Sequence, residues 1–202
     1  MLGCLCAVCT SATYAQNYWF KNVGIAEGLS SSRVNSICKD NHGFVWFGTS
    51  AGLNRYDGVS IRQFVASNKS NSLPDSYVES IQEAYDGMIW IKTNGGYVVL
   101  DPEVLTFDQS VSQHLSMIAA NLDPEVIFFD KRKNIWIFDK DNAVYYYKYK
   151  QQLVYTLSFE DDKVGLPEGD ICDFCNSREG VLAVYRDGRV VCINGEQQKM
   201  LW

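Results

Sequence analysis

The sequence predicts an all-β fold built of β-propeller blades, each a sheet of four antiparallel strands. Three observations carry this. The 202-residue chain repeats itself with a period in the mid-forties, the signature of stacked supersecondary units. Each unit breaks into four short β-rich runs separated by Gly, Asn and Asp turn signals. No capped apolar stripe of 3.6-residue period longer than two turns competes with them.

Four units organise the chain, at about 28–64, 72–109, 122–157 and 166–202. A Leu opens each (Leu29, Leu73, Leu122, Leu166), and a β-branched residue follows four or five positions later (Val34, Val78, Val126, Ile171). Trp46, Trp90 and Trp136 then recur at steps of 44 and 46 residues, with Ala183 expected in the Trp position of the fourth unit. The first unit shows the strand pattern best. Val34 to Cys38 alternates, Lys39 to Gly43 turns, Phe44 to Thr49 forms a second strand and Leu53 to Tyr56 a third. Asp57-Gly58 is a hairpin signal before a fourth strand ending at Phe64. Gly43, Gly48 and Gly52 are expected to supply turn dihedrals or room for close packing. The three tryptophans are expected to fill the space between neighbouring sheets.

Composition removes several classes. With 47% hydrophobic and 13% aromatic residues, the chain has enough apolar surface to fold. It carries 18 Lys+Arg against 24 Asp+Glu, a net charge of −6. Its densest basic run, Lys131-Arg132-Lys133, reads as a hairpin tip, so nucleic acid is not an expected partner. No apolar run reaches the roughly 18 residues of a membrane span, and no membrane contact is expected of this segment.

Residues 1–15, MLGCLCAVCTSATYA, read as the apolar core and cleavage region of a secretory signal peptide without its basic start, with Thr13 and Ala15 before the cut. Residues 16–202 then form the propeller segment. Cys38, Cys172, Cys175 and Cys192 remain after cleavage. Cys172 and Cys175 form a C-x-x-C, but a spacing of three along a regular strand points side chains to opposite faces. No second pair and no suitably spaced His accompany it, so these residues are read as buried thiols, with no metal and no cofactor.

The run Val34-x-x-Ile37-x-x-Asp40-x-x-Gly43-x-x-Trp46-x-Gly48-Thr49-x-x-Gly52-Leu53-x-x-Tyr56 resembles the two-component regulator propeller repeat. The second unit keeps Val78, Ile81, Gly87, Trp90, Thr93 and Gly96, with Lys92 where the repeat has Gly; the third and fourth are degenerate. That repeat belongs to periplasmic sensor regions of hybrid two-component systems of gut Bacteroidetes. The resemblance implies a periplasmic ligand-sensing segment of a protein anchored in the inner membrane. It also implies an oligosaccharide ligand, a histidine kinase absent from this chain, and a dimer in the full-length context.

Phe20, Phe64, Phe107, Leu157 and Leu201 read as five outer-strand landmarks for four sets of inner strands. The segment, about four blades, is therefore expected to be an open part of a larger propeller, with further blades as partners.

A catalytic constellation is not visible. His42 and His114 are 72 residues apart without a nucleophile beside them, and no glycine-rich phosphate loop follows a strand. Asp40-x-x-Gly43 departs from the Asp-x-Gly of sialidase propellers. Asp161-Asp162 and Asp139/Asp141 read as solvated loops, and Asp139-Lys140-Asp141-Asn142 is a calcium-loop echo lacking its later Glu. Binding is the better prospect, because propeller loops converge on one channel mouth. The residues preceding the inner-strand landmarks, Arg33, Tyr77, Glu125 and Asp170, differ while their neighbours repeat, which makes them the candidate ligand contacts. A carbohydrate-active propeller enzyme and a secreted interaction scaffold are the competing readings.

Overall fold

A computed structural model describes residues 20–141, 143–157, 166–194 and 197–200. The expected signal peptide, Asp161-Asp162 and Leu201 lie outside them. Four four-stranded antiparallel sheets follow one another in chain order as β-propeller blades, each with its strands in simple up-and-down sequence. Blade 1 holds β1 (Val34–Lys39), β2 (Val45–Thr49), β3 (Gly52–Tyr56) and β4 (Ile61–Phe64). Blade 2 holds β5 (Val78–Glu83), β6 (Ile89–Thr93), β7 (Gly96–Asp101) and β8 (Thr106–Asp108). A one-turn helix, α1 (Val111–His114), leads into blade 3, with β9 (Pro124–Phe129), β10 (Ile135–Asp139), β11 (Val144–Lys148) and β12 (Leu153–Leu157). Blade 4 holds β13 (Ile171–Asn176), β14 (Val181–Tyr185), β15 (Val190–Asn194) and β16 (Gln197–Met200). Phe20, expected in an outer strand, belongs to none and is 93% exposed.

Sheets bury apolar surface only by stacking face on face, and each boundary here is one hydrophobic cluster. Trp46 and Leu53 of blade 1 meet Val78, Ile81, Ile91 and Val98 of blade 2. Trp90 and Val99 of blade 2 meet Ile127, Ile135 and Ile137 of blade 3. Trp136 and Tyr146 of blade 3, their rings stacked at 4.0 Å, meet Ile171, Phe174 and Ala183 of blade 4. So Trp46, Trp90 and Trp136 stand at equivalent places on the second strands and face the following blade. Among the described residues no such cluster joins blade 4 to blade 1.

The six-residue spacing from Asp to Trp in the first and third units has a local cause. Asp40 is buried; its Oδ1 accepts the His42 and Phe44 N–H groups, and its Oδ2 accepts the Trp46 indole N–H at 2.8 Å. Asp130 repeats this with Arg132, Asn134 and Trp136. One carboxylate therefore closes the turn and orients the indole. Gly43 takes the left-handed dihedral of that turn, at φ +93°. Gly48 serves packing instead: a Cβ there would lie 2.5 Å from Val78 Cγ1 and 3.1 Å from Ile81 Cδ1. Gly52 combines both, with φ +142° and the Phe64 carbonyl 2.6 Å from a would-be Cβ.

Three details depart from the sequence reading. In blade 4 the first turn runs from Ser177 to Gly180, one residue shorter than the turn from Asp40 to Phe44. Register thus pairs Leu182 with Cys175 as Trp46 pairs with Cys38, so Leu182, not Ala183, holds the Trp position. Ala183 sits on the opposite face, fully buried against blade 3. Second, Cys172 and Cys175 are exposed, not buried. A β-bulge between Ile171 and Asp173 inserts an extra residue, so a spacing of three returns to the same face. Ile171 and Phe174 share the buried face, and the two thiols share the other. Third, the same bulge in blade 3 makes Pro124, not Val126, the counterpart of Val34, Val78 and Ile171.

Candidate channel-mouth site

Each first strand begins at the same end of its blade, and the residue before it accepts an N–H from the residue just after the second strand. Ser50 donates to the Arg33 carbonyl, Asn94 to Tyr77, Lys140 to Asp123 and Arg186 to Asp170. The equivalent set is therefore Arg33, Tyr77, Asp123 and Asp170. Glu125 lies two residues further on, at the bulge position shared with Asn35, Glu79 and Cys172, half-buried in the first two blades and exposed in the last two.

A groove of about 600 Å³ opens at this end across blades 2, 3 and 4. Its walls carry one ion pair per blade. Lys92 Nζ lies 3.2 Å from Glu79, Lys140 Nζ contacts Asp123, and Arg186 Nε stands 4.0 Å from Asp170. The lining sets Glu79, Asp123 and Glu125 against Lys92, Lys140 and Arg186, which leaves the mouth near neutral and dense in donors and acceptors. Exposed pairs of this kind add little stability; their bonding capacity remains available to a ligand.

Tyr97, which lines the groove, was not anticipated from the sequence. Its hydroxyl accepts the Ile127 N–H at 2.9 Å and donates to the Glu125 carbonyl at 3.4 Å, tying blade 2 to blade 3. Burial pushes its pKa well above the usual phenol value, against the lowering effect of the Ile127 N–H. It stays neutral, an aromatic edge held in place.

Of the sequence candidates, Glu125 lines the groove and Asp170 reaches it through Arg186. Arg33 and Tyr77 meet each other instead, the guanidinium 5.7 Å from the ring centroid, and neither lines the groove. Among the described residues no group of three or more His, Cys, Asp or Glu side chains could hold a metal ion.

Asp139, beside this site at the end of β10, is 4% exposed, and its Oδ1 has no hydrogen-bond partner among the described residues. Burial raises its pKa, helped by the Asp141 and Asp123 charges and opposed by the Asp123 and Asp141 backbone N–H groups. A raised carboxyl pKa favours the fold while the group is protonated, and that contribution is lost as pH rises through the folded-state value. Asp139→Asn is expected to stabilise the protein by about 1 kcal/mol at pH 7. Thermal melts across pH should show the gain shrinking as acid protonates Asp139 in the parent.

Residues 28–51 match the family model described as the two component regulator propeller. No curated protein sequence matches the chain. Among solved structures, the chain is similar to the extracellular domain of a proposed hybrid two component system, BT3049, of B. thetaiotaomicron. That match has 20% identity and a TM-score of 0.63, over 90% of this chain and 26% of that one. The extracellular domain of a second such system of that organism, BT4673, matches at 16% identity and TM-score 0.50, over 84% of this chain and 31% of the other. A catalytically inactive H270A virginiamycin B lyase from Staphylococcus aureus matches at 14% and 0.51, over 86% of this chain and 57% of the other. At these identities the likeness is one of fold. The chain spans about a quarter of the length of the first of these structures.

Proposed function

We propose that the chain is a ligand-binding segment of an exported sensor propeller, without catalysis of its own, whose signal passes to a cytoplasmic histidine kinase outside this chain. The observation that carries the reading is the match of residues 28–51 to the regulator-propeller repeat, joined to a groove at the channel mouth lined by polar, charge-balanced walls. The likeness to extracellular domains of B. thetaiotaomicron two component systems supports a periplasmic place for it.

The groove also bears on ligand class. Paired charges neutralise one another, so a strongly charged ligand gains no net field, whereas a neutral polyhydroxylated one meets alternating donors and acceptors. Tyr97 adds an aromatic surface of the kind that packs on apolar sugar faces. The proposed ligand is a neutral oligosaccharide. An array of plant and host oligosaccharides should identify binders. Arg186→Ala and Lys92→Ala should each weaken them roughly tenfold, the cost of about one charged hydrogen bond. Arg33→Ala, outside the groove, should leave affinity unchanged. Equal losses from all three, or none, would remove the groove from the account.

A further inference from the structure

The side of each blade turned toward its predecessor repeats the same positions, and only blade 1 leaves them bare. Val78 and Ile81 are 0% and 4% exposed, and Ile171 and Phe174 are 1% and 2%. Their register equivalents in blade 1, Val34 and Ile37, are 36% and 64% exposed. Phe47, half-buried, corresponds to Ile91, Ile137 and Ala183, all fully buried. At the other end, the far face of blade 4 presents Leu182 and Val184, half-buried, with Cys172, Asp173 and Cys175 exposed around them.

The internal boundaries define what such faces fit. Val78 and Ile81 seat over Gly48, the Ile81 N–H donates to Ser36 Oγ at 3.1 Å, and Asn35 Nδ2 donates to the Val78 carbonyl at 2.8 Å. At the next boundary Gln82 provides both kinds of bond, donating to the Ile127 carbonyl and accepting the Phe129 N–H. A following blade thus brings two apolar knobs and an unpaired strand edge, and the preceding blade offers a sheet with a side-chain acceptor. Register puts Asp173 of blade 4 where Ser36 stands in blade 1, and Val184 where Gly48 stands. The Gly48 position holds Lys92 in blade 2 and Phe138 in blade 3, so a Val there is within what the internal boundaries accept. The knobs and the receiving sheet are both on this chain.

We propose that a second copy of this chain docks head to tail, with Val34 and Ile37 of one copy seated on Leu182 and Val184 of the other. Asp173 of the receiving copy accepts the Ile37 N–H as Ser36 accepts that of Ile81. The contact continues the boundary already built three times within the chain. It is heterologous, so it propagates or closes a ring according to the rotation between copies.

Sedimentation of the purified chain tests this. The expected result is a sedimentation coefficient that rises with protein concentration. Ile37→Asp and Cys172→Arg replace exposed side chains on the two opposite faces, so each should abolish self-association and leave the melting curve unchanged at concentrations where the parent is monomeric. Mixed together they should form a one-to-one complex and nothing larger, because each retains the face that the other lacks. A chain that stays monomeric at every concentration, or association unaffected by both substitutions, would overturn the proposal. So would a mixture of the two variants that remains monomeric.

Discussion

Truncation of Trp46 to Ala is expected to cost about 3–5 kcal/mol, the largest effect of any single change considered. The side chain is fully buried and touches both its own blade and the next. Its ring lies 6.0 Å from that of Phe64, which in turn meets Phe107 edge-on at 5.6 Å. Removing it opens a cavity at the boundary of blades 1 and 2, bounded by strands that cannot close without breaking register. Chemical denaturation should show the loss, and hydrogen exchange should report it first in β1, β2 and β5. Leu182→Ala, at the register equivalent, should cost far less, since that residue is half-buried and no sheet of the described residues packs on it.

Asp40→Ala is expected to cost about 2–4 kcal/mol, because three donors lose a charged acceptor at once. Two of them, the His42 and Phe44 N–H groups, define the turn, and the third is the Trp46 indole. Trp46→Phe keeps most of the packing and removes only the indole donor. A double-mutant cycle between Asp40→Ala and Trp46→Phe should therefore give a coupling of about 1 kcal/mol or more. Blade 2 is the built-in contrast: Ala84 occupies the Asp position, its N–H bonds the Met88 carbonyl, and Asp86 Oδ1 accepts the Met88 N–H instead. A carboxylate introduced there by Ala84→Asp should gain the Trp90 indole and compete with Asp86 for the Met88 N–H.

The blades were legible because their signals are local. The Asp-to-Trp spacing, the turn glycines and the strand alternation are each set within a dozen residues, and Trp46, Trp90 and Trp136 fall at equivalent positions as a result. What escaped the sequence was set by one-residue events with no residue type of their own. A turn shortened by one residue between Ser177 and Gly180 moved the Trp position from Ala183 to Leu182. A bulge at Cys172 turned two thiols expected on opposite faces onto one exposed face, and the same bulge at Glu125 made Asp123 the true counterpart of Arg33, Tyr77 and Asp170.

The groove was half legible for a different reason. Its position at the start of the first strands follows from the repeat, so Glu125 and Asp170 were within reach. Its ion pairs join residues at the two ends of a hairpin, as Glu79 does with Lys92 and Asp123 with Lys140. Tyr97 bonds across blades to residues 28 and 30 positions away. Pairings at such separations have no local signature. Asn54 is a similar case. It is a buried amide where Val98 and Val191 stand in later blades, and it holds Ser30 at 2.9 Å through both its oxygen and its nitrogen. That polar choice fastens the entering segment to blade 1, which among the described residues has no sheet packed before it.

The central claim is that this propeller segment binds its ligand and does not transform it. Calorimetric titration of the protein with the oligosaccharides that score on the array tests this most directly, because binding and turnover give different heat traces. The account predicts heats that decay to zero as sites fill, with one site per chain and the sugar recovered at its original mass. A steady heat flow that persists after each injection, with cleaved sugar in the cell, would contradict it.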